Sequence, residues 1–273
     1  MTPAEIAALP RPLAFVLPGG GALGSYQVGV LRALTEVGVM PDQLVGVSAG
    51  SVNAALFACN AGLDGLDRVA EIWRGMRRRD LMRLHPGRVA RAFAGQQPSF
   101  LDNRHGHAFL RRHLGNRVIE HSRVPLALVA TDLSTGESVA LTSGDMTTAV
   151  LASSAFPGVY PPIEIDGRTF IDGGVVADVP LDITLALGMK SALVLSVPPL
   201  SADKPPRRAL DILIRASSLG VEAHGRTMLL RPPAGLIVVE LPAASTALTT
   251  FDVGRSANMI EMGYEATHAW LAS

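Results

Sequence analysis

The chain has 273 residues, of which 48% are hydrophobic and 18% are charged. Lysine and arginine total 24, as do aspartate and glutamate, so the composition gives no argument for a nucleic-acid or acidic partner. The apolar fraction is sufficient for a substantial core. Cys59 is the only cysteine, which excludes an internal disulfide and fits a reducing compartment.

The N-terminal sequence predicts neither a signal peptide nor a membrane span. It carries Glu5 and no basic residue before its first apolar positions, and Pro10, Pro12 and Pro18 interrupt the apolar run that follows. No segment reaches the roughly 18 uninterrupted apolar residues that a membrane span needs. We therefore expect a cytoplasmic protein whose contact with a membrane surface is at most peripheral.

Two strand–turn–helix units are predicted within the first 60 residues. The apolar run Leu13–Leu17 ends at a proline and a glycine, and apolar residues then recur at helical spacing until Gly38. The second unit has a strand at Leu44–Val47, a sharp turn and a helix of small residues that ends near Asn60. Such repeated units are typical of an α/β fold with a parallel sheet.

The rest of the chain continues the mixture of strands and helices. Further strands are predicted at Leu126–Asp132, Glu137–Ser143, Arg168–Asp172, Ser191–Val197 and Gly235–Leu241. Further helices are predicted at Asp64–Arg78, His105–Leu114, Met146–Ala155, Leu181–Leu187, Arg207–Leu229 and Phe251–Leu271. Residues 79–104 are predicted to be irregular, either as a mobile cover over a site or as an ordinary surface connection. No linker is evident, so we expect one domain over residues 1–273, with a C-terminal helical part at about 201–273.

The pentapeptide GVSAG, residues 46–50, matches the nucleophile-elbow pattern G-x-S-x-G. It follows a predicted strand and precedes a predicted helix, which is the context that this motif requires. The turn is so tight that side chains at Gly46 and Gly50 would clash. Ser48 would then project at the N-terminus of the helix, where free amides and the helix dipole favour developing negative charge.

The segment GGGALG, which ends at Gly24, allows three readings. A dinucleotide site would need an acidic residue at the end of the second strand, but Glu36 lies inside the first helix and Asp42 precedes that strand. A phosphate-binding P-loop would need a Lys-Ser or Lys-Thr pair after the glycines. The third reading is an oxyanion hole formed by the backbone amides of Gly19, Gly20 and Gly21. The alternative that stays open is a tight turn that serves only helix–strand packing.

A serine nucleophile needs a base, and the sequence offers two kinds of candidate. None of the seven histidines stands on a loop after a late strand, where a catalytic histidine is expected. The histidines of RHGHAFLRRHL lack a carboxylate or cysteine to complete a metal site, so no metal is predicted. Asp172 ends a strand and precedes Gly173 and Gly174, so its carboxylate can lie at the same end of the sheet as Ser48. The alternative is a hairpin turn without chemistry.

Together these motifs resemble the patatin-like phospholipases, lipid acyl hydrolases of bacteria and plants that use a Ser–Asp dyad. GGGALG at 19–24, GVSAG at 46–50 and DGG at 172–174 match in order, and VATDLSTGE at 129–137 and ASSAFPGVYPP at 152–162 are also similar. The resemblance spans about residues 13–200. It implies a three-layer α/β/α fold with a mostly parallel sheet, and a lipid or acyl-ester substrate.

The resemblance also implies a role for each motif. Ser48 would be the nucleophile, Asp172 its base and the glycine loop the oxyanion hole, with no metal and no bound cofactor. Two positions depart from the family pattern, because Leu23 stands where many members carry Arg or Lys, and Pro18 replaces a small polar residue. Ester hydrolysis is therefore a firmer expectation than a phospholipid head group. Two rival hypotheses are a hydrolase with a Ser–His–Asp triad and a non-catalytic lipid-binding regulator, and the oligomeric state stays open.

Overall fold

The computed structural model describes residues 1–81, 85–199, 209–244, 246 and 252–273. Its strands are β1 Leu13–Leu17, β2 Gln43–Val47, β3 Leu126–Asp132, β4 Ser138–Leu141, β5 Ile163–Ile165, β6 Arg168–Asp172, β7 Ser191–Val194 and β8 Ile237–Glu240. Its helices are α1 Pro3–Ala7, α2 Ser25–Glu36, α3 Ala49–Cys59, α4 Leu63–Gly75, α5 Arg78–Leu81, α6 Pro86–Phe93, α7 Arg104–Leu114, α8 Met146–Ser153, α9 Gly174–Ala177, α10 Leu181–Ala186, α11 Ala209–Leu230 and α12 Ser256–Leu271.

Every predicted strand is present, and the differences lie in short elements. Helices α5 and α6 occupy part of residues 79–104, so the prediction of an irregular segment was wrong for those parts and holds for residues 94–103. Strand β5 was not predicted, and it pairs with β6 across a turn at residues 166–167. The first two residues of the predicted helix Arg207–Leu229 and the first residue of Phe251–Leu271 lie outside the described residues.

The described strands form one sheet in the order β5-β6-β3-β2-β1-β7-β8, with β4 paired to β3 off this path. The five strands from β3 to β8 along this path are parallel, whereas β4, β5 and β6 run antiparallel to their neighbours. In an α/β sheet of this kind, the loops that follow the carboxyl ends of the parallel strands meet along one edge. The glycine segment after β1 and the GVSAG turn after β2 both lie at that edge.

The central strands are buried on both faces, which gives the chain two core layers. Along β1, Leu13, Phe15 and Leu17 face one hydrophobic cluster, while Ala14 and Val16 face the other. The first cluster packs against α2, α3, α4 and α12, and the second packs against α10 and α11. Because alternate side chains of a strand point to opposite faces, the continuous apolar run is the sequence signature of these two layers. The fold is therefore a three-layer α/β/α arrangement around a mostly parallel sheet, as expected.

Helices α2 and α12 pack backbone against backbone through two glycines. A Cβ atom added at Gly29 of α2 would overlap the carbonyl oxygen of Ile260 and lie 2.5 Å from the amide nitrogen of Tyr264. A Cβ atom added at Gly263 of α12 would overlap the carbonyl oxygen of Tyr26. Neither obstacle is a flexible side chain, so the two helix axes would have to separate.

Replacement of Gly29 by alanine is therefore expected to lower the free energy of unfolding by about 3 kcal/mol, because overpacking against a backbone cannot be relieved by a rotamer change. Chemical denaturation would measure the change. The matched control is Gly220→Ala, at a helical glycine with open space around its Cα, where alanine should be neutral or stabilise by up to about 1 kcal/mol. Equal stabilities of the two variants would contradict this packing argument.

Among the residues that the structure describes, no helix combines the length and the apolar character needed to cross a bilayer.

Candidate active site

Ser48 stands at the sharp turn between β2 and α3. Its backbone has φ 51° and ψ −120°, which is a costly conformation for a residue with a side chain. Glycines on both sides allow the turn: a Cβ atom at Gly46 would lie 2.7 Å from the Cα of Ser51, and one at Gly50 would overlap the carbonyl oxygen of Leu17. The motif GVSAG thus forms the tight strand–helix turn that its sequence predicted, with Ser48 held at the apex.

The register of β3 explains why Asp172 meets Ser48. Leu128 and Val129 pair with both β2 and β4, and Ala130 pairs with both β4 and β6. Strands β2 and β6 therefore share one edge of β3 and approach each other end to end. Val47, the last residue of β2, is opposite Val129, and Asp172, the last residue of β6, is opposite the next residue, Ala130.

The side chains of Ser48 and Asp172 are in direct contact. The Ser48 hydroxyl donates a hydrogen bond of 2.7 Å to Oδ2 of Asp172, and the Gly174 amide donates one of 2.8 Å to Oδ1. Asp172 is only 3% exposed, and this burial raises the pKa of its carboxyl group to about 7, against the two hydrogen bonds and with a smaller contribution from the charge of Asp178. The carboxylate is therefore a stronger base than an exposed aspartate.

The glycine loop after β1 lies beside this pair. Gly20 and Gly21 have φ angles of 149° and 58°, which L side chains rarely adopt. The Gly19 amide donates a hydrogen bond of 2.8 Å to Oδ1 of Asp178. The described residues offer no hydrogen-bond acceptor to the amides of Gly20 and Gly21, and both residues line the cavity next to Ser48.

A buried polar network holds the glycine loop from beneath. The Gln27 amide group donates to the carbonyl oxygens of Pro18 and Leu195 at 2.9 and 3.0 Å. Asn53 donates to the carbonyl oxygen of Gly24 and to Gln27, and accepts a hydrogen bond of 2.7 Å from the indole of Trp73. Because a buried amide without partners is costly, these contacts fix both ends of the loop against α2 and α3.

Ser153, at the end of α8, was not identified from the sequence, and it bridges the turns that carry Ser48 and Asp172. Its carbonyl oxygen accepts hydrogen bonds from the amides of Ser48 at 3.1 Å and Gly173 at 3.2 Å. Its hydroxyl donates to the carbonyl oxygen of Val129 at 2.6 Å. Ser153 belongs to the block ASSAFPGVYPP, which resembles the corresponding block of the patatin-like phospholipases, but the sequence alone gives its serines no role.

Ser48 and Asp172 open into a cavity of about 850 Å³. One wall is formed by the glycine loop, and much of the remainder is apolar, with side chains of Trp73, Phe109 and Leu110. Leu23, which was singled out in the sequence, is 1% exposed and also lines this cavity. A cavity of this size and character lies within the range of small-molecule binding sites.

The seven histidines, all of which the structure describes, lie elsewhere. None is among the residues that line the cavity. Of the segment 79–104, the described residues contribute only Asn103 to the lining. Within the described residues, no group of three or more His, Cys, Asp or Glu side chains is arranged to hold a metal ion.

Comparisons with known proteins agree with the motifs. The family model described as patatin-like phospholipase matches residues 15–185. An uncharacterized NTE family protein of Mycobacterium tuberculosis is 31% identical over 188 residues, which cover 66% of this chain and 49% of that protein. Patatin-like phospholipase domain-containing protein 7 of Mus musculus is 30% identical over 191 residues, which cover 68% of this chain and 13% of that protein. The chain thus spans about half, or less, of the length of these relatives.

Solved structures give more distant matches. VipD from Legionella pneumophila is 16% identical, with a TM-score of 0.46 and coverage of 96% of this chain and 67% of that one. Human GIVD cytosolic phospholipase A2 is 12% identical, with a TM-score of 0.39 and coverage of 99% and 64%. The family model accounts for well over half of the residues, and all three motifs fall within its range. The chain therefore belongs to the patatin-like phospholipase family.

Proposed function

We propose that the protein is a serine hydrolase that cleaves carboxylic esters of lipids through a Ser48–Asp172 dyad. The observation that carries this proposal is the 2.7 Å hydrogen bond from the Ser48 hydroxyl to a buried carboxylate at the wall of an apolar cavity. A serine hydroxyl that donates a hydrogen bond to a carboxylate with a raised pKa is an activated nucleophile. The strained backbone of Ser48 supports the same conclusion, because such strain is concentrated at functional sites.

In the proposed reaction, the Ser48 oxygen attacks the ester carbonyl carbon while Asp172 accepts the hydroxyl proton. The tetrahedral intermediate collapses, the bond to the alcohol breaks, and Asp172 returns its proton to the leaving alcohol oxygen. Water then attacks the acyl-enzyme with Asp172 again as the base, which releases the fatty acid and restores Ser48. Each proton is thus accepted and returned by the same carboxyl group.

The negative oxygen of each tetrahedral intermediate needs donors that are already in place. All three amides of Gly19, Gly20 and Gly21 were predicted for this role, and the proposal assigns it to Gly20 and Gly21 because the Gly19 amide already donates to Asp178. Their positive φ angles turn the backbone in a way that glycine permits, and both residues line the cavity. One such donor typically contributes about 3 kcal/mol to transition-state stabilisation.

The apolar walls favour the acyl part of a lipid as the group that the cavity accepts. The name of the Mus musculus relative, patatin-like phospholipase domain-containing protein 7, agrees with this substrate class. The Ser–His–Asp alternative is disfavoured because no histidine lines the cavity. A purely lipid-binding role is disfavoured because binding alone would not require a serine with a strained backbone that is hydrogen-bonded to a buried base.

Labelling with a fluorophosphonate tests the proposal. We expect the wild-type protein to take up one equivalent at Ser48, located by peptide mass spectrometry, because the reagent reacts with activated serine hydroxyls. Ser48→Ala should take up none, whereas Ser154→Ala, which removes another hydroxyl from the same cavity, should still be labelled at Ser48. An unlabelled wild-type protein would support the non-catalytic alternative and refute the proposal.

A further inference from the structure

A second carboxyl group lies in the site, and the proposed reaction does not use it. Asp178 follows the short helix α9, six positions after Asp172, and is half-buried against the cavity. A Cβ atom added at Gly174 would lie 3.2 Å from Oδ1 of Asp172 and 3.3 Å from Oδ1 of Asp178. The two carboxyl groups therefore pack against the same glycine. A negatively charged group is costly in this position unless its contacts offset the cost.

The contact of Asp178 is with the first amide of the glycine loop. Its Oδ1 accepts the hydrogen bond from Gly19, and a Cβ atom added at Gly19 would lie 2.9 Å from this oxygen and 3.1 Å from the Cβ of Ser48. The peptide group between Pro18 and Gly19 is thus held at both of its polar atoms. Asp178 accepts from its N–H, and Gln27 donates to its carbonyl oxygen. The amides of Gly20 and Gly21 follow directly in the chain.

We infer that Asp178 is a positioning residue that orients the glycine loop so that the amides of Gly20 and Gly21 face the oxygen of the substrate carbonyl. This inference rests on the proposed function. One segment, residues 172–178, would then supply both the base for Ser48 and the anchor of the oxyanion hole. Small displacements of such donors matter, because their benefit depends on their being in place before the reaction.

The ionisation of Asp178 is coupled to its surroundings. Burial raises the pKa of Asp178 to about 6 against the Gly19 hydrogen bond, and the charge of Glu222 on α11 adds to the rise. Glu222 is itself paired with Arg215 at 2.8 Å, and Asp172 is the other carboxyl group beside Asp178. Arg226 and Glu240 also line the cavity. The charge of Asp178 in turn raises the pKa of Asp172.

Two substitutions separate the hydrogen bond from the charge. Asp178→Ala removes the acceptor of the Gly19 hydrogen bond. We expect kcat for p-nitrophenyl butyrate to fall by tenfold or more with a smaller change in KM, because misplaced amides stabilise the transition state less while substrate binding changes little. Asp178→Asn keeps an oxygen for the Gly19 amide, and kcat should stay within about threefold of wild type. The acid limb of its pH profile should move to lower pH, because a negative charge beside Asp172 is removed.

Three outcomes would overturn the inference: a folded Asp178→Ala variant with kcat within threefold of wild type, equal losses in both variants, or a fall of more than tenfold in Asp178→Asn. The third outcome refutes the inference even where Asp178→Ala does not fold. Fluorophosphonate labelling of the wild type separates the two proposals. A wild-type protein that takes up no label refutes the hydrolase proposal. A wild-type protein that is labelled and active, together with any of the three outcomes above, refutes only the role of Asp178.

Discussion

Asp172→Asn is expected to lower kcat for a chromogenic ester by about 10³-fold or more, since the amide cannot accept the Ser48 proton. Asparagine has the same shape, and its oxygen can still accept the Gly174 hydrogen bond, so the loss reports on basicity. In the wild type, kcat/KM should rise with pH and reach a plateau above about pH 7, the pKa to which burial raises Asp172. Full activity of Asp172→Asn would instead indicate another base.

The same substitution should change the stability of the protein in a pH-dependent way. The pKa of Asp172 is about 7 in the folded protein and about 4 in an unfolded chain. Between these values the folded state binds more protons, so the wild type loses stability as pH rises from about 4 to 7. Asp172→Asn lacks this loss and should be more stable than wild type at pH 8, with the difference shrinking towards pH 4.

Denaturant titrations of both proteins at pH 4.5, 6 and 8 would measure this difference. Asp178, whose pKa is raised to about 6, contributes a slope of its own that remains in Asp172→Asn. Because the two carboxyl groups interact, the difference between the two proteins also contains their mutual repulsion above about pH 6. A difference in stability that stays constant from pH 4.5 to 8 would show that folding does not raise the pKa of Asp172. Loss of activity with a constant difference would leave the catalytic role intact and reject the raised pKa.

The fold could be predicted largely from local patterns. The run Leu13–Leu17 is buried at every position, so its uninterrupted apolar sequence already indicated a strand covered on both faces. The hairpin of β5 and β6 was missed although its signal was local. Asp166 and Gly167 have φ angles of 50° and 76°, the conformation that an Asp-Gly dipeptide favours in a two-residue turn.

The site was only partly readable from the sequence, because its assembly depends on long-range register. Ser48 and Asp172 both follow strand ends, which places them at one edge of the sheet only if the two strands are parallel, and β6 is antiparallel to β3. Their contact arises because β6 runs antiparallel and meets β2 end to end along β3, and no local pattern encodes that register. Asp178 and Ser153 were missed for a related reason. The local sequence gives neither residue a role, and each contacts the site through a hydrogen bond to a residue more than a hundred positions away.

Gly50→Ala is the substitution for which we expect the largest combined loss of stability and activity. Gly50 is the second residue of α3, and an added Cβ would overlap the carbonyl oxygen of Leu17 and lie 2.6 Å from that of Pro18. Leu17 ends β1 and Pro18 begins the glycine loop, so the methyl group would separate the turn that carries Ser48 from the loop. We expect a fall of more than 3 kcal/mol in the free energy of unfolding, and at least a 100-fold lower kcat in the protein that still folds.

Two measurements separate these effects, namely denaturant unfolding and kcat per folded molecule, with the folded fraction taken from circular dichroism. Gly75→Ala is the matched control, because Gly75 ends helix α4 with open space around its Cα and should tolerate the methyl group. A folded Gly50→Ala protein with wild-type kcat would contradict the argument, since it would mean that the Ser48 turn and the glycine loop can move apart without cost. The expected loss of 100-fold or more per folded molecule would instead show that ester cleavage depends on the spacing between these two backbone turns.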